Sequence, residues 1–220
     1  DVTSLRKASA SKACTASSPS AREFEIVLWG ATGYTGRLVA EYLARSRSAE
    51  GLRWALAGRD AAKLERVRAD LAVTSPHLAQ LPILLGDASA PATLDAIAAR
   101  ARVVCTTVGP YAKYGSELVA ACVRAGTHTC DLTGELQWIR RMIDAHHDAA
   151  RASGARIVHC CGFDSIPSDL GVFMLHEAAR ERGQGLARVD AVFGESSGGF
   201  SGGTVASMLN VLEEARRDPG

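Results

Sequence analysis

The stretch GATGYTG at residues 30–36 decides the fold of this chain. An apolar segment of strand length, residues 24–29, precedes it, and apolar residues recur after it with helical spacing from Leu38 to Leu43. A strand, a glycine turn and a helix in this order are typical of a dinucleotide-binding fingerprint, here with one extra residue between the first two glycines. Such glycines serve a tight turn, the close approach of a pyrophosphate and the packing of the helix on the strand, while free N–H groups at the helix N-terminus hold the anion. We therefore predict cofactor contacts at Gly30, Thr32, Gly33, Tyr34, Thr35 and Gly36.

Arg59 indicates which nucleotide is bound. Residues 53–57, RWALA, predict a second strand, and Gly58, Arg59 and Asp60 follow it. An NAD site usually places an acidic residue at the end of this strand, where it holds the ribose 2′-hydroxyl. A guanidinium at that place can instead hold a 2′-phosphate with two hydrogen bonds. We predict NADP(H) rather than NAD(H), and we interpret Asp60 as the N-cap of the next helix.

Strand and helix patterns alternate from residue 24 to residue 160. After the second strand, further strands are predicted at residues 82–87, 103–108, 127–132 and 156–160. Short connections between alternating strands and helices favour an α/β fold, a Rossmann-type doubly wound parallel sheet. A seventh strand is predicted at residues 189–193, before a glycine-rich segment and a helix. We interpret this part as the start of a second α+β substrate domain that these 220 residues do not complete.

The predicted domain organisation has three parts. Residues 1–22 are rich in serine, alanine and basic residues, with almost no large apolar side chain, and predict a disordered tail. Residues 23–185 predict an NADP-binding Rossmann domain, and residues 186–220 the incomplete substrate domain. The composition of the tail leaves a targeting segment, and hence import into an organelle, open.

Composition excludes several classes of function. The net charge is +1, which gives no electrostatic footprint for nucleic acid. The longest apolar runs have strand length, so we predict no transmembrane segment. Six cysteines occur without a Cys-x-x-Cys pair, which favours reduced thiols in the cytoplasm and argues against a metal site. Association with a membrane or lipid and formation of a homo-oligomer both stay open.

Six stretches resemble one family, the saccharopine dehydrogenase-like oxidoreductases, in particular the branch that includes the trans-acting enoyl reductases. They are GATGYTGR (30–37), ALAGR (55–59), TVGPY (107–111), DLTGE (131–135), CGFDSIPSD (161–169) and GGFSGGT (198–204). The resemblance spans about residues 23–210, and residues 161–169 are its most specific part. It implies a longer protein, NADP-dependent reduction and a lipid context.

The matching stretches all lie at predicted carboxyl ends of strands, where ligands of open parallel sheets bind. Asp87 is placed to accept a hydrogen bond from the adenine amino group, with a helix N-cap as the alternative. Gly109 and Pro110 lie where the backbone passes the nicotinamide ribose.

Candidate catalytic residues follow the fourth, fifth and sixth strands. Tyr111 is the candidate proton donor, with simple stacking on the cofactor as the alternative. Glu135 and Asp164 are candidates to face the substrate, and for both a structural role in capping or bonding a loop is equally open.

One rival mechanism is excluded on the sequence. Short-chain reductases use Tyr-x-x-x-Lys, and no tyrosine of this chain has a lysine four residues later. A Walker-type phosphate loop is also excluded near residue 200, since the Gly-Lys-Ser/Thr ending is absent. We predict an NADP-dependent oxidoreductase that reduces a C=C or C=O/C=N bond of a small or lipid-like substrate. We expect these 220 residues alone to be inactive. The alternative is an NADP(H)-binding sensor or scaffold without turnover.

Overall fold

The structure, a computed structural model, describes residues 22–46, 50–195, 198–199 and 201–217. The predicted tail, residues 1–22, lies outside these residues except for Arg22. Within the described part, no helix is both long and apolar enough to cross a bilayer.

Six parallel strands form one sheet in the order β3-β2-β1-β4-β5-β6. This is the predicted Rossmann-type doubly wound arrangement, with the order reversing between β1 and β4. The strands are β1 (Phe24–Trp29), β2 (Trp54–Gly58), β3 (Ile83–Leu85), β4 (Ala101–Thr106), β5 (His128–Asp131) and β6 (Ile157–Val158).

Eight α-helices accompany the sheet within the described residues, with one 3-10 turn at Pro76–Gln80. They are α1 (Tyr34–Arg45), α2 (Ala61–Thr74), α3 (Pro91–Arg100), α4 (Tyr111–Tyr114), α5 (Ser116–Ala125), α6 (Leu136–Ser153), α7 (Ile166–Glu181) and α8 (Gly202–Arg217). Asp60 caps α2 as predicted, because its Oδ1 accepts a hydrogen bond from Lys63 N at 3.0 Å.

The central strand β1 is buried on both of its faces, as expected for a parallel sheet covered by helices on both sides. Leu28 packs with Leu64 of α2 on one face. Val27 packs with Leu94 of α3 and Leu118 of α5 on the other. Full burial of each such side chain contributes roughly 1.5–3 kcal/mol to folding. The two cores hold β1 rigidly, and β1 carries the glycine turn at its end.

Three predicted strands differ clearly from the structure. The third is limited to Ile83–Leu85. The sixth is limited to Ile157–Val158, and Cys160, the predicted last residue of this strand, has φ +60°, outside the extended range of a strand. The seventh was expected at residues 189–193, but these residues are irregular. Val192 is 93% exposed, and the six-stranded sheet of the described residues leaves residues 189–193 unpaired.

Candidate functional site

The glycine turn after β1 is closed by two glycines that the fold itself requires. Gly30 has φ +92°, a conformation that L side chains rarely adopt, and its N–H donates to the carbonyl oxygen of Ala57 at 3.0 Å. A Cβ at Gly36 would overlap the carbonyl oxygen of Gly30. Gly36 therefore allows α1 to pack directly against the turn.

Gly33 differs from both, because the fold leaves room for a side chain there. A Cβ at Gly33 would have its nearest neighbour, the carbonyl oxygen of Gly30, at 3.5 Å, an ordinary contact. Gly33 is the N-cap of α1, and no side chain caps this helix. The N–H groups of the first turn thus have no acceptor within the helix, and no acidic side chain stands in that turn. The positive end of the helix dipole is available to an anion.

A cleft of about 470 Å³ opens in front of this helix end. It lies at the carboxyl ends of the strands, beside the reversal point between β1 and β4. Eight of the ten residues predicted to contact the cofactor line it: Gly30, Thr32, Gly33, Tyr34, Thr35, Arg59, Asp87 and Gly109. The other two do not line it, since Gly36 is buried beneath the turn and Pro110 is buried behind the wall of the cleft.

Arg59 and Asp87 follow β2 and β3 and form one end of the cleft. Arg59 is exposed. The Oδ1 of Asp87 accepts hydrogen bonds from Ser89 N at 2.8 Å and Ser89 Oγ at 2.5 Å. These bonds, with a smaller contribution from the charge of Arg59, lower the pKa of Asp87 and keep it ionised. The N-cap of α3 is Ala90, without a side-chain hydrogen bond, so the N-cap alternative for Asp87 is wrong.

Glu135 is buried, with 1% of its surface exposed, and both oxygens of its carboxylate accept hydrogen bonds. Its carboxylate accepts hydrogen bonds from Tyr111 N at 2.8 Å, Ala112 N at 2.9 Å and Ser207 Oγ at 2.9 Å. Glu135 thus fixes the start of α4 and contacts α8.

Tyr111 is also buried, 4% exposed, and stands beside Glu135. Its hydroxyl donates to the carbonyl oxygen of Thr106 at 3.2 Å and accepts from Leu132 N at 3.4 Å. Burial, the main cause, raises the pKa of Tyr111, so that the phenol stays protonated at neutral pH. Its neighbour Tyr114, at the end of α4, is the tyrosine of this helix that lines the cleft.

Asp164 is the third candidate catalytic residue. It is exposed in the loop between β6 and α7, outside the residues that line the cleft. The structure therefore joins Tyr111 and Glu135 by a hydrogen bond and leaves Asp164 outside the lining of the cleft.

A buried carboxylate–imidazole pair was not foreseen from the sequence. Asp131, at the end of β5, is 3% exposed, and its Oδ2 lies 2.6 Å from Nδ1 of His159. Its Oδ1 accepts hydrogen bonds from Thr133 N at 3.1 Å and Cys160 N at 3.3 Å. The His159 ring meets that of Trp138 edge-on, with centroids 5.1 Å apart. Asp131 thereby holds the loop that leaves β6.

Several lining residues were also missed. Ser89, Thr107, Val108, Tyr114, Ser201 and Gly203 line the cleft beside the predicted residues. Tyr114 could have been suspected, because it lies one helical turn after Tyr111. Ser201 and Gly203 lie in the family-matching stretch GGFSGGT, which was the sequence signal for their place at the cleft.

Comparison with known proteins gives a matching family model and a similar fold. The model of the saccharopine dehydrogenase NADP binding domain matches residues 26–158, which include the glycine turn, Arg59 and Glu135. An apo saccharopine dehydrogenase (L-Glu forming) from Saccharomyces cerevisiae has a similar fold, with a TM-score of 0.51 and 18% identity. That similarity covers 73% of this chain and 32% of the yeast chain.

Curated relatives are closer in sequence. A Mycobacterium tuberculosis protein with the provisional name of trans-acting enoyl reductase is 55% identical over 199 residues, 90% of this chain and 46% of its own. The trans-acting enoyl reductase of Mycobacterium bovis is 52% identical over 204 residues, 92% of this chain and 48% of its own. That of Mycobacterium leprae is 50% identical over the same length. The chain thus spans about half the length of these relatives.

Proposed function

Because this chain belongs to the saccharopine dehydrogenase family through its NADP-binding domain, we propose that the cleft holds NADPH and that the whole protein uses it to reduce a carbon–carbon double bond. The observation that carries the proposal is the uncapped N-terminus of α1 behind Gly33, where the fold leaves room that a diphosphate can take.

The proposed contacts follow the cleft from one end to the other. The pyrophosphate lies on the first-turn N–H groups of α1, beside Gly33. Arg59 takes the 2′-phosphate, and the free oxygen of Asp87 accepts from the adenine amino group. The nicotinamide half extends past Val108 and Gly109, on the other side of the reversal point.

When bound, NADPH supplies the hydride, and the protein supplies orientation and a proton. Tyr111 remains the proposed proton donor, because it follows Gly109 of the cleft by two residues and its phenol carries a proton at neutral pH. Its raised pKa makes it a weaker acid than an ordinary tyrosine. To act, this hydroxyl has to leave the carbonyl oxygen of Thr106. Asp164, exposed in the loop between β6 and α7, remains the proposed contact for the substrate.

The proposed substrate is an α,β-unsaturated acyl group of lipid type. Its support is the enoyl reductase name of relatives that share 50–55% identity with most of this chain. Reduction of a C=O or C=N bond is the alternative reaction. Binding of NADP(H) without turnover, as in a sensor or scaffold, is the alternative function. We also propose that the protein works in the cytoplasm, without a nucleic-acid partner. Association with a membrane or lipid, import into an organelle and formation of a homo-oligomer are the open alternatives.

Turnover by the whole protein tests the proposal. An α,β-unsaturated acyl thioester is offered with NADPH, and loss of NADPH absorbance is followed beside a matched ketone and a matched imine. We expect oxidation with the enoyl substrate and none with the other two. Tight NADPH binding with no oxidation in any of the three assays would establish the sensor function instead.

A further inference from the structure

Glu135 joins two separate walls of the cleft. It stands immediately before α6, and both of its carboxylate oxygens accept hydrogen bonds. One oxygen bonds Tyr111 N and Ser207 Oγ, and the other bonds Ala112 N. A carboxylate that accepts three hydrogen bonds in a buried site is held in one orientation.

The first wall is the turn that enters α4. Gly109 lines the cleft and Tyr111 begins the helix two residues later. Pro110, the N-cap of α4, supplies no side-chain hydrogen bond, so the first N–H groups of this helix depend on a distant acceptor. Glu135 is that acceptor, and its two bonds fix the backbone that follows Gly109.

The second wall is the N-terminus of α8, which brings Ser201 and Gly203 to the cleft. Ser207 lies in the second turn of the same helix and donates to Glu135. It fits closely, because a Cβ on Gly109 would lie 3.3 Å from Ser207 Oγ. Farther along α8, Glu214 accepts hydrogen bonds from Gln137 and Arg141 of α6, both at 3.3 Å.

We infer that Glu135 and Ser207 form a latch that positions the nicotinamide side of the cofactor cleft. The inference rests on the proposed NADPH site and changes the role of Glu135 from a group that faces the substrate to a positioning residue. α8 lies beyond residues 26–158, so the latch adds to the cleft a wall from outside the family domain. The adenine side rests on β2 and β3 and does not depend on the latch.

Two ligands distinguish positioning from general stability. NADPH occupies both halves of the cleft, whereas 2′-phospho-ADP-ribose lacks the nicotinamide. Calorimetry with the purified protein measures both ligands against Ser207→Ala, Ser207→Thr and Glu135→Gln. The amide of a glutamine cannot replace the acceptor oxygen that it removes. Glu117→Gln, an exposed position on α5, is the matched control.

Ser207→Ala and Glu135→Gln should each weaken NADPH at least about tenfold, because each removes a hydrogen bond to the Glu135 carboxylate, a charged group. Neither substitution should change the binding of 2′-phospho-ADP-ribose. Ser207→Thr keeps the hydroxyl donor and should bind NADPH like the unchanged protein. Equal weakening of both ligands, or none, by Ser207→Ala overturns the latch even if Glu135→Gln does not fold. If the unchanged protein binds neither ligand, the NADPH site itself fails, and the latch fails with it.

Discussion

Gly36 lies so close to Gly30 that a Cβ on Gly36 would overlap the carbonyl oxygen of Gly30. Gly33, in the same turn, has ordinary space around the position of its missing Cβ. Two glycines of one motif thus serve different purposes. Gly36 allows the helix to pack on the strand, and Gly33 leaves the cleft open.

The two glycines should respond oppositely to the same substitution. Gly33→Val should fold, since its φ of −75° and ψ of 168° suit a β-branched residue, but its side chain should enter the cleft and abolish NADPH binding. Gly36→Val should lose about 1–3 kcal/mol or more of stability through overpacking. Thermal unfolding and fluorescence titration with NADPH measure both effects. Normal NADPH binding by Gly33→Val would show that no pyrophosphate lies at this turn.

Arg59→Ala should weaken NADPH by about 1.5–3 kcal/mol, the range for a hydrogen bond to a charged group. NADH, which lacks the 2′-phosphate, should bind the variant almost as it binds the unchanged protein. Arg53→Ala is a suitable control, because it removes the same charge at the amino end of β2. Similar losses for both variants would mean that only net charge matters.

Asp131→Ala should destabilise the fold by about 2–4 kcal/mol. It leaves the N–H groups of Thr133 and Cys160 without their acceptor in a buried place, and it frees His159. Asp144→Ala, which removes an exposed ion pair with Arg140, should cost less than about 1 kcal/mol. Chemical denaturation of the two variants gives the comparison, and equal losses would contradict the structural role of Asp131.

Thiol reactivity should follow burial. Cys122 is fully buried, and burial raises its pKa to about 12, so this thiol should remain unmodified by an alkylating reagent at mildly alkaline pH. The other four cysteines that the structure describes are partly exposed and should react before Cys122: Cys105, Cys130, Cys160 and Cys161. After unfolding without reductant, mass spectrometry should find all six cysteines alkylated. Two cysteines that stay unalkylated in the unfolded sample would reveal a disulfide between them.

The sheet and most of the cleft could be predicted because their signals are local. The glycine turn, Arg59 and the Asp60 cap each lie within a few residues of the strand end that they follow. Parallel strands bring such ends together at one edge, so that a local pattern in the sequence determines a shared position in space.

The remaining features depend on contacts that no local pattern encodes. Glu135 and Ser207 are 72 residues apart, and the bond between them needs both the sheet and the docking of α8. Residues 189–193 have the apolar pattern of a strand, yet a strand also needs a neighbour, and the described part of the sheet leaves them unpaired. Asp131 and His159 are likewise 28 residues apart, and their pairing needs the sheet that places β5 beside β6.

Calorimetric titration of the unchanged protein with NADPH and NADH tests the central claim most directly. The cleft at Gly33 and Arg59 predicts that both cofactors bind and that NADPH binds at least about tenfold more tightly, since one charge-assisted contact to the 2′-phosphate distinguishes them. Equal affinity for the two cofactors would contradict the role of Arg59. The absence of any binding would contradict the account of the cleft as a whole.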